Sequence, residues 1–418
     1  MSFSSNVITF IILLALLGDF FLNILANHLN IKNISETLPS EFVDNFDHKQ
    51  YKKSQDYLKT TTQFGQISSC FDLFVFLGFW YFNGFFLLDS FVRSFDFNII
   101  VTGLLYIFIL LLFKFILSIP FSIYSTFYIE EQFGFNKTTP FLFIIDSLKS
   151  LILFTIIGGI LLGLILFFFE HFGDNAWFIC WVLTSVFLLI FQYIVPTWIL
   201  PLFNKFTPLE KGDLRDAIFK YAKSIDFSLD NIFIMDGSKR SSKANAFFTG
   251  FGKNKRIVLF DTLIKDHTID ELVAVLAHEM GHFKKKHIIK NIIIGILQMG
   301  IIFYFLSFFI SFKGLFDAFS MKYISIYAGL IFFSLLYSPI DFFLSILTKI
   351  LSRKDEYEAD KFAFETYKKA EPLIDALKKL SVNNLSNLTP HSFYVFLNYS
   401  HPPILKRINV LKKLREDL

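Results

Sequence analysis

The 418-residue chain is poor in cysteine: it has two, Cys70 and Cys180, both inside apolar stretches. Two such thiols supply neither a disulfide framework nor a cysteine-type metal site, and they read as small buried apolar residues. Net charge is only +4, which leaves no nucleic-acid footprint. No internal repeat is visible, which sets aside solenoids and arrays. No basic residue precedes Lys32, and no clear small-residue cleavage site follows the first apolar stretch, so that stretch does not read as a signal peptide. What the chain has in excess is hydrophobicity. Of its residues 54% are apolar and 59 are phenylalanine, and mean hydropathy is +0.52. Soluble domains are about 45–50% apolar, and here the surplus is gathered in long blocks.

An apolar run of about 20 residues crosses a bilayer as a helix, because only a helix satisfies its own backbone there. Seven runs qualify: 7–26, 67–88, 99–124, 148–169, 177–200, 288–312 and 323–347. The chain then divides into 1–200, with spans one to five; a polar segment, 201–287; spans six and seven, 288–348; and a second polar segment, 349–418. Lys32, Lys49, Lys52, Lys53 and Lys59 lie between spans one and two. Most other cations lie between spans five and six or after span seven, and the alternate loops carry few. The positive-inside rule therefore puts the N-terminus outside and the C-terminus and both polar segments in the cytosol. Asp19, Asn23, Asp72, Asn83, Lys114, Gln192, Gln298 and Asp341 fall within the runs. Such groups either line a hydrated chamber or pair with one another.

The chemistry must come from the two polar segments. In "LVAVLAHEMGHFKKKH", residues 269–287 read as a helix with Thr268 as N-cap and Asp270 and Glu271 in the first turn. His278 and His282, four apart, share one face and can hold one ion, while Glu279 reaches a water beside it. A catalytic zinc wants a third protein ligand. The longer pattern with a histidine ten residues after the first fails: position 288 is isoleucine, Lys285 stands at the required glycine, and His287 falls one short. The other source is "SRKDEYEADKFAFETY", which offers Glu356, Glu358, Asp360 and Glu365. Spacing alone leaves these open. The arrangement preferred here has Glu356 as ligand and Asp360, four residues on, orienting a liganding histidine.

"KANAFFTGF" and the following "KRIVLFDTL", broken by Gly250 and Gly252, read as a β-hairpin. Its edge could receive an extended peptide, with Asn245 donating to a developing oxyanion; an ordinary packing hairpin is the alternative. "NYSHPPILKRI" adds His401, made locally rigid by two prolines, and Arg407.

In order along the chain, "IEEQFGFNKTT" (129–139), "LPLFNKFTPLEKGDLR" (200–215), "MDGSKRSSKANAFFTGFGKNKRIVLFDTL" (235–263), "AVLAHEMGHFKKKH" (274–287), "SRKDEYEAD" (352–360) and "SHPP" followed by Arg407 resemble the signature stretches of one family. It is that of the Ste24-type CAAX prenyl proteases, integral-membrane zinc metalloproteases of peptidase family M48. The resemblance implies an α-helical integral membrane protein: seven transmembrane helices around a water-filled chamber, with a cytosolic zincin-like metalloprotease domain. It implies one Zn2+ per chain held by His278, His282 and Glu356, with Glu279 as general base. Asn245 and His401 would then sit near the transition state and Arg407 would support the site. The family removes the last three residues of prenylated CaaX proteins, and some members make a second, upstream cut. Implied partners are a peptide or protein substrate and the lipid bilayer, with no nucleic acid; the sequence carries no signal for an oligomeric state.

Departures from the family are small. Lys243 and Lys354–Asp355 stand at variable positions, the loops are short, and "REDL" is not an ER-retrieval motif. The abundance of Phe, Ile, Asn and Lys suggests an AT-rich genome, and with the short loops it favours a bacterial inner membrane over the ER membrane. Bacteria generally lack protein prenylation, so there the natural substrate would differ from the one the family name states. Two rival readings use the same residues. One is an HtpX-like quality-control protease of misfolded membrane proteins, and seven spans weigh against that family. The other is a non-enzymatic membrane scaffold with a vestigial zinc site, and an intact ligand set weighs against that.

Overall fold

The computed structural model describes residues 5–44, 46–229, 231–249 and 256–417. The first half is helical: α1 (Ser5–Lys32), α2 (His48–Tyr81), α3 (Gly84–Arg93), α4 (Ile99–Tyr124), α5 (Pro140–His171), α6 (Ala176–Ile194) and the short α7 (Leu200–Phe203). Both α4 and α6 run on into π-helical turns, Ser125–Glu130 and Val195–Ile199. The second of these starts next to Pro196, whose missing N–H removes a helical hydrogen bond.

Among the described residues, six helices are long and apolar enough to cross a membrane, and the bent pair α2–α3 makes a seventh if it is one broken span. Large apolar side chains stand exposed along them, among them Phe10, Ile116, Ile160, Ile190 and Leu297. In water such faces would aggregate; in a bilayer they meet acyl chains. The second apolar run, expected as one helix over 67–88, is broken. α2 ends at Tyr81, Asn83 takes a left-handed conformation (φ 57°), and α3 turns away by 64°. Asparagine tolerates that conformation. A Cβ at residue 84 would lie 2.5 Å from the Phe79 ring, so only glycine allows the turn to close. Between the helices a cavity of about 680 Å³ is lined by Asp19, Asn23, Asp72 and Lys114, with Gln66 and Asn27.

The chain then builds β1 (Phe206–Pro208), α8 (Asp213–Ser224), β2 (Asn231–Met235), β3 (Ala246–Thr249), β4 (Arg256–Phe260) and α9 (Asp261–Asp266). The sheet order is β1-β2-β4-β3, with β2 and β4 parallel and the outer pairs antiparallel. The two strands of the expected hairpin therefore pair, Ala246 opposite Leu259 and Thr249 opposite Arg256. The glycines that break it, Gly250 and Gly252, lie outside the described residues. β3 lies at one edge of the sheet and β1 at the other.

Next comes α10 (Ile269–Lys284), started by a reciprocal cap. Thr268 Oγ1 accepts the Glu271 N–H, and Glu271 Oε2 accepts the Thr268 N–H. The expected helix over 269–287 is shorter than that. It stops at Lys284, Lys286 turns left-handed (φ 60°), and His287 opens a new helix, α11 (His287–Phe309). The reason is a change of direction, since α10 is buried in the soluble core and α11 is apolar enough to cross a membrane.

After α12 (Lys313–Ala318) follow α13 (Ile326–Tyr367), α14 (Glu371–Asn383), α15 (Ser392–Asn398) and α16 (Ile404–Glu416). α13 has 42 residues, a rod about 63 Å long, roughly twice the thickness of a hydrocarbon core. The expected seventh span and the start of the last polar segment are thus one helix, and the boundary placed at 348 falls inside it.

From Leu272 to Gly281 every residue of α10 except Glu279 is buried, among α8, α13 and α14. That explains the small residues in its sequence. A Cβ at Gly281 would meet the Ala359 backbone at 3.2 Å and the Phe362 ring at 3.1 Å, so this glycine sets how closely α10 and α13 approach. Gly281→Ala is expected to destabilise the fold by about 1–3 kcal/mol and to weaken metal retention. An unchanged thermal midpoint and metal content would show that the two helices are free to separate.

Candidate active site

Two helices bring the metal-binding residue types together. His278 and His282 come from successive turns of α10, and Glu356 comes from the far half of α13. The Nε2 atoms of the two histidines are 3.2 Å apart. Glu356 Oε1 lies 3.2 Å from His282 Nε2, and Glu356 Oε2 lies 3.5 Å from His278 Nε2. One ligand atom from each residue falls within 4.8 Å of the others. Glu356 Oε2 is buried and, although 3.2 Å from Arg407 Nη1, accepts no hydrogen bond among the described residues. Two imidazole nitrogens and a buried carboxylate converging within 4.8 Å fit a divalent cation that takes nitrogen and oxygen ligands.

The surroundings of this cluster are ordered by charge. His278 Nδ1 lies 2.8 Å from Asp360 Oδ1, on the next turn of α13. Asp360 is fully buried, and Arg407 donates to both its oxygens, Nε to Oδ2 at 2.8 Å and Nη2 to Oδ1 at 2.6 Å. Burial and the Arg407 cation push His278 toward its neutral form, but the neighbouring Asp360 and Glu356 carboxylates outweigh them and raise its pKa to about 9. Burial likewise works against the Arg407 cation, yet the Asp360 and Glu356 carboxylates hold its pKa above the usual arginine range. Arg407 sits one turn into α16, directly after Pro402 and Pro403, whose fixed backbone sets the start of that helix.

A cavity of about 390 Å³ contains the rest. Asn245, His278, Glu279, His282, Glu356, His401 and Arg407 all line it, with Leu373, Leu377 and Leu380 of α14 on one wall. His401 is largely exposed at the rim, its Nε2 3.3 Å from Glu356 Oε1 and its Nδ1 3.0 Å from Ser400 Oγ. Asn245 is exposed at the start of the edge strand, and its Oδ1 accepts the Ala246 N–H at 2.8 Å.

The chain matches two family descriptions end to end. "CAAX prenyl protease N-terminal, five membrane helices" covers residues 27–205, and "Peptidase family M48" covers residues 208–415. The chain belongs to the M48 peptidase family. It is 37% identical over 395 residues to "Probable CAAX prenyl protease 1" of Schizosaccharomyces pombe, covering 90% of this chain and 82% of the relative. It is 36% identical to "CAAX prenyl protease 1" of Saccharomyces cerevisiae, covering 92% and 91%. The crystal structure of S. mikatae Ste24p superposes with a TM-score of 0.89 at 34% identity, over 97% of this chain and 98% of that one. This M48 chain is therefore a multi-pass membrane metalloprotease, in agreement with the resemblance in its motifs.

Sequence reasoning missed residues that hold these parts in place. The Asn384 side chain pairs with both backbone groups of Ala244: its Oδ1 accepts the N–H at 3.1 Å and its Nδ2 donates to the C=O at 3.2 Å, fixing the residue before Asn245. Lys243 Nζ is held by Glu130 at 2.9 Å and Tyr57 at 2.8 Å, over the Phe135 ring. These partners are more than a hundred residues away in sequence, and no local pattern announces them.

Proposed function

We propose that this chain is a zinc endopeptidase that removes the C-terminal tripeptide of prenylated CaaX proteins, or cuts related membrane-associated substrates. The observation that carries the reading is the convergence of the His278, His282 and Glu356 donors with Glu279 in one cavity bordered by an edge strand. His278, His282 and Glu356 would hold the ion. Zinc, when bound, supplies a Lewis acid for the scissile carbonyl and makes water acidic enough to attack near neutral pH. Glu279 takes a proton from the attacking water as the C–O bond forms, and delivers it to the leaving amine as the C–N bond breaks. Asn245 Nδ2 and His401 donate to the oxyanion between those two steps. Asp360 accepts the His278 Nδ1–H and fixes that ring, and Arg407 balances the charge of Asp360 and Glu356.

An extended peptide paired to β3 would lay its backbone along the cavity, with aliphatic side chains against Leu373, Leu377 and Leu380. The lysine-rich loops support a cytosolic site with the N-terminus outside. The named relatives come from yeasts, and this supports the internal membrane of a eukaryotic cell over the bacterial inner membrane favoured by loop length.

The test is cleavage of matched prenylated and unprenylated CaaX peptides by the purified full chain. Cleavage of the prenylated peptide alone is expected. Equal cleavage of both would transfer the substrate reading to general membrane-protein degradation, and cleavage of neither despite bound zinc would end it. In sealed vesicles with the cytosolic face outward, external peptide is expected to be cut; cleavage only after lysis would reverse the orientation.

A further inference from the structure

An imidazole that binds a metal through one nitrogen carries a proton on the other, and that N–H needs an acceptor to fix the ring. His278 has Asp360. Among the described residues His282 meets no carboxylate at Nδ1; that atom lies 3.1 Å from Nδ1 of His287, the two rings crossing at 73°. His287 is the residue one position short of a third-ligand pattern. It is 3% exposed, and the left-handed Lys286 at the corner between α10 and α11 swings it back over His282.

The far side of His287 decides its tautomer. Nε2 lies 3.2 Å from Glu358 Oε2 and 3.7 Å from Asp355 Oδ1. Carboxylates only accept, so Nε2 bears the proton, and in the neutral ring Nδ1 keeps its lone pair. A bare Nδ1 is the acceptor that a metal-bound His282 requires. We infer that His287 is a positioning residue: it accepts the His282 Nδ1–H and donates Nε2–H to Glu358, holding His282 Nε2 on the metal. The inference rests on the proposed ligand role of His282.

His287, Asp355 and Glu358 also lie close enough to cage a second cation, and Asp355 Oδ2 has no hydrogen-bond partner among the described residues. Against that, the Lys290 ammonium already forms an ion pair with Asp355. A count of bound ions separates the two arrangements.

The experiment measures metal affinity by competition with a chromogenic chelator, on full-length wild type, His287→Leu, His287→Asn and Glu358→Ala. Thermal unfolding of each metal-free form reports folding. His287→Leu is expected to bind zinc about 10–100-fold more weakly and to shift the absorption bands of bound Co2+. His287→Asn, whose Oδ1 can still accept from His282, is expected to recover most of the affinity and the wild-type bands. Wild-type affinity in His287→Leu, or no recovery in His287→Asn, overturns the inference. So does a fall from two ions per chain to one, which would make His287 a ligand of a second metal. If His287→Leu does not fold, Glu358→Ala at its half-exposed position decides: weaker binding supports the relay and unchanged binding overturns it. Failure of the underlying reading looks different, because His282→Ala would then retain one ion per chain.

Discussion

Replacing Glu279 with alanine is expected to leave the metal bound and to slow peptide hydrolysis by about 10²–10⁴-fold. The expectation follows from where the side chain stands. Glu279 is the single residue between Leu272 and Gly281 that is not buried in the packing of α10, and it faces the cavity that the metal-binding atoms share. It is absent from the group of donor atoms that converge on one point. Its loss should therefore remove a proton carrier and spare the coordination set. Metal content by atomic absorption and turnover on the prenylated peptide check the two halves separately. Loss of metal in step with loss of turnover would make Glu279 a ligand and overturn the assignment.

Glu356→Ala is expected to do the opposite and strip the metal. The loss should exceed the roughly 10–100-fold weakening that accompanies removal of an orienting neighbour, and hydrolysis should fall to background. Glu356 is the sole carboxylate in the converging triad and also faces the buried Arg407, so the variant would remove the proposed ligand and leave that cation with Asp360 as its remaining ion-pair partner. Breaking a buried ion pair costs about 3–5 kcal/mol, so Glu356→Gln, which keeps the volume, belongs beside it with a thermal melt. One ion per chain in a folded Glu356 variant would move the third-ligand role to another acid of the same stretch.

The local parts of this site were legible because their signals are local. His278 and His282 sit four apart on one helix, the Thr268–Glu271 cap marks where that helix begins, and the proline pair before α16 marks the approach of Arg407. The spans were legible because a bilayer demands long apolar runs. Less legible was the choice among Glu356, Glu358 and Asp360, which depends on how α13 is rotated against α10, and that rotation is set by the Gly281–Ala359 approach. The break at Asn83 was hidden inside a run that is apolar throughout, where hydropathy carries no signal for direction. The end of α10 was overrun because Lys284–Lys286 are good helix formers and only the left-handed Lys286 reverses the chain. By spacing His287 falls one short of a third ligand, and its contact with His282 depends on that same reversal.

α13 is continuous through Pro339, and its length gives it one arm in lipid and the other at the candidate metal site. Glu356 lies 30 residues from the start of the helix, about 45 Å along its axis. Were the helix to pivot at its membrane end, a tilt of about one degree would move the carboxylate by about 0.8 Å, comparable to the tolerance of a catalytic geometry. The packing of α13 against α10 at Gly281 and Ala359, one turn beyond Glu356, is the clamp that opposes such movement. Forces that the bilayer exerts on the apolar arm, through its thickness or lateral pressure, therefore load the contact beside Glu356.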